Sequence, residues 1–160
     1  MVVEYHNSIR RLVFRLLGWR DGGEDVVQEV FLSAWAAWAR FPGAARAELW
    51  LKRIAVNKCR SWQRREAVRA RWFRWLRAAP LEEPRVAAED PLATEERAGR
   101  VRQAIQSLDR RYREVMVLHY LEQMSVDKVA QVVGVRRNTV EVWLHRARRQ
   151  LEQPLAGLME

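Results

Sequence analysis

Apolar residues recur at three- and four-residue spacing along most of the chain, which predicts helices, and no segment alternates strictly enough to predict a strand. Ile9, Leu12, Val13, Leu16 and Leu17 form the stripe of a short first helix that ends at Gly18. In residues 23–41, Val27, Val30, Phe31, Ala34, Trp35 and Trp38 share a face, so both tryptophans are expected in a core. Asp25, Gln28, Glu29 and Leu32 are left on the remaining surface, and a leucine set among acids and an amide is the composition of a protein-docking face. Pro42-Gly43 breaks the pattern. A third helix over residues 48–66 turns Leu51, Ile54, Ala55 and Trp62 inward. Residues 71–75, Arg-Trp-Phe-Arg-Trp, extend it, and their aromatics either pack on the first domain or meet a partner.

Residues 71–97 carry Pro80, Pro84 and Pro91 with many alanines and acids, the composition of a flexible linker. From about Thr94 the helical pattern resumes with Val101, Ala104, Ile105 and Leu108. Asp109 is placed to cap a helix with Tyr112, Val115, Leu118 and Leu121 inward, ending near residues 122–124. Ser125 is the expected N-cap of a short helix with Val126, Val129, Ala130 and Val133 inward, and Gly134 permits a sharp left-handed turn. A last helix starts near Arg136 and buries Val140, Leu144, Ala147 and Leu151. The expected fold is all-α: two small helical domains, residues 1–70 and 98–160, joined by that linker, with a helix-turn-helix in the second.

Charge then narrows the partners. The chain has 160 residues, 29 Lys and Arg against 20 acids, and a net charge of +9. Residues 1–70 hold 13 bases and 7 acids, residues 71–97 hold 5 and 6, and residues 98–160 hold 11 and 7. Positive charge therefore sits in both folded parts, which suits a polyanion. The longest run without charge is ten residues, 30–39, too short to span a bilayer. The start, Met1-Val2-Val3-Glu4, lacks the basic and apolar blocks of a signal peptide, and a lone Cys59 cannot form an internal disulfide. A cytoplasmic protein is expected, with Cys59 a bystander on a helix.

Two surfaces carry the candidate chemistry. The outward face of the last helix bears Asn138, Glu141, Val142, His145, Arg146 and Arg149, and residues 136–149 hold five arginines against one glutamate. That set suits base edges and phosphates in a major groove. On the third helix Arg53, Asn57, Arg60 and Arg64 recur as a stripe beside Trp38, Phe41 and Trp50, the pairing of cations with stacking platforms that unstacked bases require. The residues offer no metal-ligand spacing around His6, His119 and His145, no glycine-rich phosphate loop and no nucleophile elbow, so neither an enzyme nor a cofactor is expected.

The order and spacing of Glu24-Asp25-Val26-Val27-Gln28-Glu29-Val30-Phe31, Trp50-Leu51, Ile54-Ala55, Asn57 and Arg64-Arg65, followed by Leu108, Ala130, Gly134, Thr139-Val140 and Arg146-Ala147-Arg148, closely resemble the extracytoplasmic-function group of the bacterial sigma-70 family. The resemblance covers nearly the whole chain. It implies docking on core RNA polymerase through Asp25, Gln28, Glu29 and Leu32. It also implies capture of the melted minus-10 element by the loop over residues 42–47 with Trp50, Arg53, Asn57, Arg60, Arg64 and Arg65. Arg137, Asn138, Thr139, Glu141, Val142, His145, Arg146 and Arg149 would read the minus-35 duplex. The linker would thread toward the polymerase active-site and RNA-exit region, and an anti-sigma factor is an implied partner.

This chain departs from the family pattern at Ser61, usually Asp, at Lys128, usually Glu, at Asn138, often Gly, and at Glu141, often basic. Lys128 removes a capping box with Ser125, a loss of about 0.5–1 kcal/mol. The readings from other functional classes are a stand-alone regulator of duplex DNA and a helical interaction protein with no DNA role. The acidic docking helix followed by an aromatic and basic helix, where a regulator would carry a ligand or receiver domain, separates the first of these.

Overall fold

A computed structural model describes the backbone of residues 2–18, 22–41, 43–76 and 94–155. Within these the chain is helical with no strand, and it divides into two compact units, residues 1–87 and 88–160. The expected linker beyond residue 76, Pro42 and the last five residues lie outside the described residues.

The first unit is three helices around one core. Helix α1 is Val2–Leu17, sixteen residues and not the short helix expected, and it buries Ile9, Leu12, Val13, Leu16 and Leu17. Helix α2 is Gly23–Ala36, and α3 is Ala47–Leu76, a thirty-residue helix that packs on both. Val26, Val27, Val30 and Ala34 of α2 and Leu51, Ala55, Val56 and Cys59 of α3 are buried in that core, so Cys59 is a core residue rather than a bystander on the helix. Between α1 and α2 the backbone turns at Gly22 with φ +94, and a Cβ there would stand 2.9 Å from the indole nitrogen of Trp62. That approach seats the half-buried Trp62 over the turn.

Trp35 and Trp38 are not in the core, contrary to expectation. The buried stripe of α2 runs through positions 26, 27, 30 and 34, whereas 28, 32 and 35 follow one another on the opposite side at i, i+4 and i+7. Trp35 is therefore 76% exposed beside Leu32 at 68%. The α-helix ends at Ala36, and a 3₁₀ turn over Trp38–Arg40 changes the phase, so that Trp38 swings out of the stripe.

The second unit contains α4 (Thr94–Ser107), α5 (Arg110–Met116) continuing into a π-helical turn over Val117–Leu121, α6 (Val126–Val133) and α7 (Arg137–Leu155). Asp109 precedes α5 but caps it through its backbone carbonyl, which accepts from the amides of Tyr112 and Arg113 at 2.9 Å, and not through its side chain. Arg113 instead closes the preceding helix, donating to the carbonyls of Gln106 at 2.7 Å and Leu108 at 3.0 Å. The π-turn is stitched by His119, whose Nδ1 lies 2.7 Å from the Met124 carbonyl and must donate, because a carbonyl can only accept.

Ser125 caps α6 as expected, its hydroxyl accepting from the Lys128 amide at 3.4 Å. Gly134 then adopts φ +81, and its amide and that of Val135 both close on the Ala130 carbonyl, at 2.9 and 3.2 Å. Helix α7 follows with Val140, Leu144, Ala147 and Leu151 all buried against α5 and α6. No helix among the described residues is long and apolar enough to cross a membrane.

Nothing lies within 4 Å of where a Cβ on Gly134 would stand, so a substitution there meets only the backbone penalty. Gly134→Ala should destabilise the second unit by about 1–2 kcal/mol, and Gly134→Asn by less, because asparagine tolerates the left-handed region. Urea unfolding of both variants checks the order; equal losses would mean that contact, not φ, sets the cost.

Candidate functional site

On the second unit, burial of the stripe at 140, 144, 147 and 151 fixes which way α7 faces. Asn138, Glu141, Val142, His145, Arg146 and Arg149 are all exposed, and Thr139 is half-buried at the edge. The face is continuous over three turns, with Arg136 and Arg148 exposed at its margins. Its first turn is organised by Arg137. The guanidinium donates through Nε to Glu141 at 3.0 Å and through Nη1 to both carboxylate oxygens of Asp127, at 3.1 and 3.3 Å. The Arg137 proton is held above its ordinary range, first by the hydrogen bond to Glu141 and then by the field of Asp127. Sequence reasoning treated Arg137 and Glu141 as separate DNA-facing groups and missed Asp127. The i,i+4 spacing signals the first pair. Only the angle between α6 and α7 brings in Asp127, ten positions earlier.

On the first unit, Arg53, Asn57 and Arg64 are exposed on one face of α3 and Arg60 is half-buried between them. Arg64 reaches back to the Ser61 hydroxyl at 3.3 Å. At the start of this stripe stands an aromatic wall: Trp38 lies flat on Phe41, centroids 4.7 Å apart and planes 4° from parallel, and Phe41 meets Trp50 edge-on at 5.6 Å. The exposed arginines and the exposed ring of Trp38 together present cations and a π-face, the pair that binds a nucleic-acid strand with its bases turned out.

Arg65 lies off that stripe. Its Nη2 donates to Glu29 at 3.1 Å, and Lys58 approaches the other oxygen of the same carboxylate at 3.6 Å. Glu29 and Arg65, expected on two different surfaces, thus meet between α2 and α3. Asp25, Gln28 and Leu32 remain exposed on α2, and Trp35 joins them, a residue that sequence reasoning had assigned to the core. Further along α3, Val68, Trp72, Phe73 and Trp75 are exposed and do not pack on the first unit's core. Among the described residues no cluster of His, Cys, Asp or Glu could hold a metal ion.

Residues 1–69 match the family described as Sigma-70 region 2, and residues 98–151 match Sigma-70, region 4. The chain is 32% identical over 162 residues to the ECF RNA polymerase sigma factor SigE of Mycolicibacterium smegmatis, a match covering 98% of the chain and 60% of SigE. It is 30% identical over 135 residues to the RNA polymerase sigma-E factor of Streptomyces antibioticus, covering 82% of the chain and 69% of that protein. Its fold is similar to that of the sigma factor RpoE from Bartonella quintana, solved in complex with the anti-sigma factor NepR. The TM-score is 0.75 at 23% identity, over 97% of this chain and 94% of RpoE.

The Glu29 pairs are partly solvated and should contribute little on their own. Glu29→Gln should lower the unfolding free energy by less than about 1 kcal/mol in urea titration. A loss well above that would show the three charges acting as one buried network.

Proposed function

The chain belongs to the sigma-70 family, in its extracytoplasmic-function group, and we propose that it binds core RNA polymerase in the cytoplasm and directs transcription from specific promoters. The observation that carries this reading is the presence of two separately packed helical units, each presenting a basic helix face of a different kind. A protein of this family is not an enzyme; it acts by binding and orienting.

Residues 1–70 form the part that docks and melts. Leu32, flanked by Asp25 and Gln28, anchors α2 on the polymerase, with Glu29 at the edge of that face. An exposed aliphatic side chain gains by desolvation at an interface centre, and the acids set orientation and on-rate. Arg53, Asn57, Arg60 and Arg64 track the backbone of the opened minus-10 strand, Trp38 and Trp50 offer ring surfaces to its bases, and Arg65 extends the cationic edge. Residues 98–160 read the minus-35 element as duplex. Arg146 and Arg149 contact phosphates or guanine edges, while Arg137, Asn138, Thr139, Glu141, Val142 and His145 line the groove. Residues 71–97 connect the two and thread toward the active-site and RNA-exit region. RpoE is held by an anti-sigma factor, and a partner of that kind is proposed here.

Run-off transcription with purified core polymerase tests the reading. Promoter-specific transcripts that depend on the chain are expected, and duplex binding without any such transcript would favour a stand-alone regulator. Leu32→Arg should weaken core binding by about 2 kcal/mol or more with helicity intact, measured by pull-down beside circular dichroism. Asn57→Ala and Arg60→Ala should each impair promoter opening in permanganate footprinting, and normal opening in both would remove them from the minus-10 contact.

A further inference from the structure

The cations of α7 are Arg137 in its first turn and Arg146, Arg148 and Arg149 farther along, and at the first turn the charges are arranged in a cluster. One guanidinium, Arg137, is shared by two carboxylates, Glu141 on α7 and Asp127 on α6. One cation and two anions leave the cluster net negative on a surface where Arg136, Arg146, Arg148 and Arg149 are all exposed. The guanidinium fork is turned along its own helix and back to α6, so Arg137 is engaged where a phosphate anchor would stand open. The Glu141 carboxylate is held in turn at one position of the exposed face. Asp127 is the outer anchor of this arrangement, although α6 is the supporting helix.

We propose that Asp127 is a positioning residue for sequence readout: acting through Arg137, it fixes the Glu141 carboxylate so that the first turn of α7 selects cytosine in the duplex. The proposal rests on the reading of the second unit as the minus-35 recognition domain. The chemistry of the major groove supplies the base. Cytosine presents only its exocyclic amine, a donor that a carboxylate accepts, whereas guanine presents two acceptors, thymine an acceptor and a methyl group, and adenine an acceptor beside its amine. A mobile carboxylate among arginines would fold onto its neighbours or be repelled by phosphates, and one fixed by a guanidinium that is itself anchored can discriminate. The pairs are solvated in the free protein, with side chains roughly half exposed, and are individually weak there. Closure of the groove around them excludes water and strengthens them when the base is read.

The test uses the full chain and a randomised double-stranded DNA pool, with bound molecules recovered and sequenced, followed by affinity on the selected duplex at several salt concentrations. The unsubstituted chain should select cytosine at one position. Glu141→Gln should reduce that preference about five- to hundredfold. Asp127→Asn should lose most of the same preference at the same position, and so should Arg137→Gln, which breaks the clamp from its other side. Asp127→Glu should restore it, and the double variant Asp127→Asn with Glu141→Gln should be no worse than Glu141→Gln alone. The salt dependence of Asp127→Asn should steepen by about one in its logarithmic slope as Arg137 becomes available to a phosphate. A merely structural role for Asp127 would lower affinity evenly for all sequences and leave the preference in place. Retained cytosine preference in folded Asp127→Asn, or loss at a different position from Glu141→Gln, overturns the inference and leaves the proposed function standing. Selection of a sequence with no cytosine dependence does the same. No sequence selection by the unsubstituted chain would count against the duplex-reading domain itself.

Discussion

Each long helix of this protein can bury only one stripe, and that constraint sets everything the molecule presents outward. In the first unit α1 and α2 occupy one side of α3, and in the second α5 and α6 occupy one side of α7. Each fully buried valine or leucine contributes roughly 1.5–3 kcal/mol, several times what a solvated ion pair supplies. Burial of Leu51, Ala55 and Val56 therefore aims the arginines of α3, and burial of Val140, Leu144 and Ala147 aims those of α7. The charged groups do not hold the helices in place. They are displayed by a packing arrangement that they do little to stabilise.

The charges left over are used locally. Glu29 of α2 gathers Arg65 and Lys58 of α3, on the helix that exposes Leu32 and Trp35. Asp127 and Glu141 gather Arg137 across the turn of the helix-turn-helix. In both places acids pair with cations at the margin of a basic face.

Aromatic residues divide the same way. Trp62 lies over the Gly22 turn and serves packing. Trp38, Phe41 and Trp50 form a wall at the start of the α3 stripe, where the 3₁₀ turn after α2 brings Trp38 and Phe41 to Trp50 of α3. The 3₁₀ turn is what converts a tryptophan in register with a core stripe into an exposed ring, and so gives the first unit a surface suited to bases as well as to phosphates.

Much of this was legible from spacing alone. The all-helical fold, the stripes of α1 and α7 and the exposed faces of α3 and α7 follow from periodicities that a helix imposes on its neighbours at three and four positions, the cap at Ser125 and the left-handed Gly134 follow from the chemistry of those residues, and of the expected α6 stripe Val129, Ala130 and Val133 are buried while Val132 takes the place of a half-buried Val126. What spacing could not reveal are relations between helices. Whether Trp35 is core or surface depends on where α1 and α3 touch α2, since a stripe seen in sequence is wider than the contact that buries it. The pairs Arg65 with Glu29 and Arg137 with Asp127 join residues 36 and 10 positions apart, on helices whose crossing decides which side chains meet. Local periodicity determines which face of a helix turns inward, and only the packing of one helix on another determines which of the outward charges find each other.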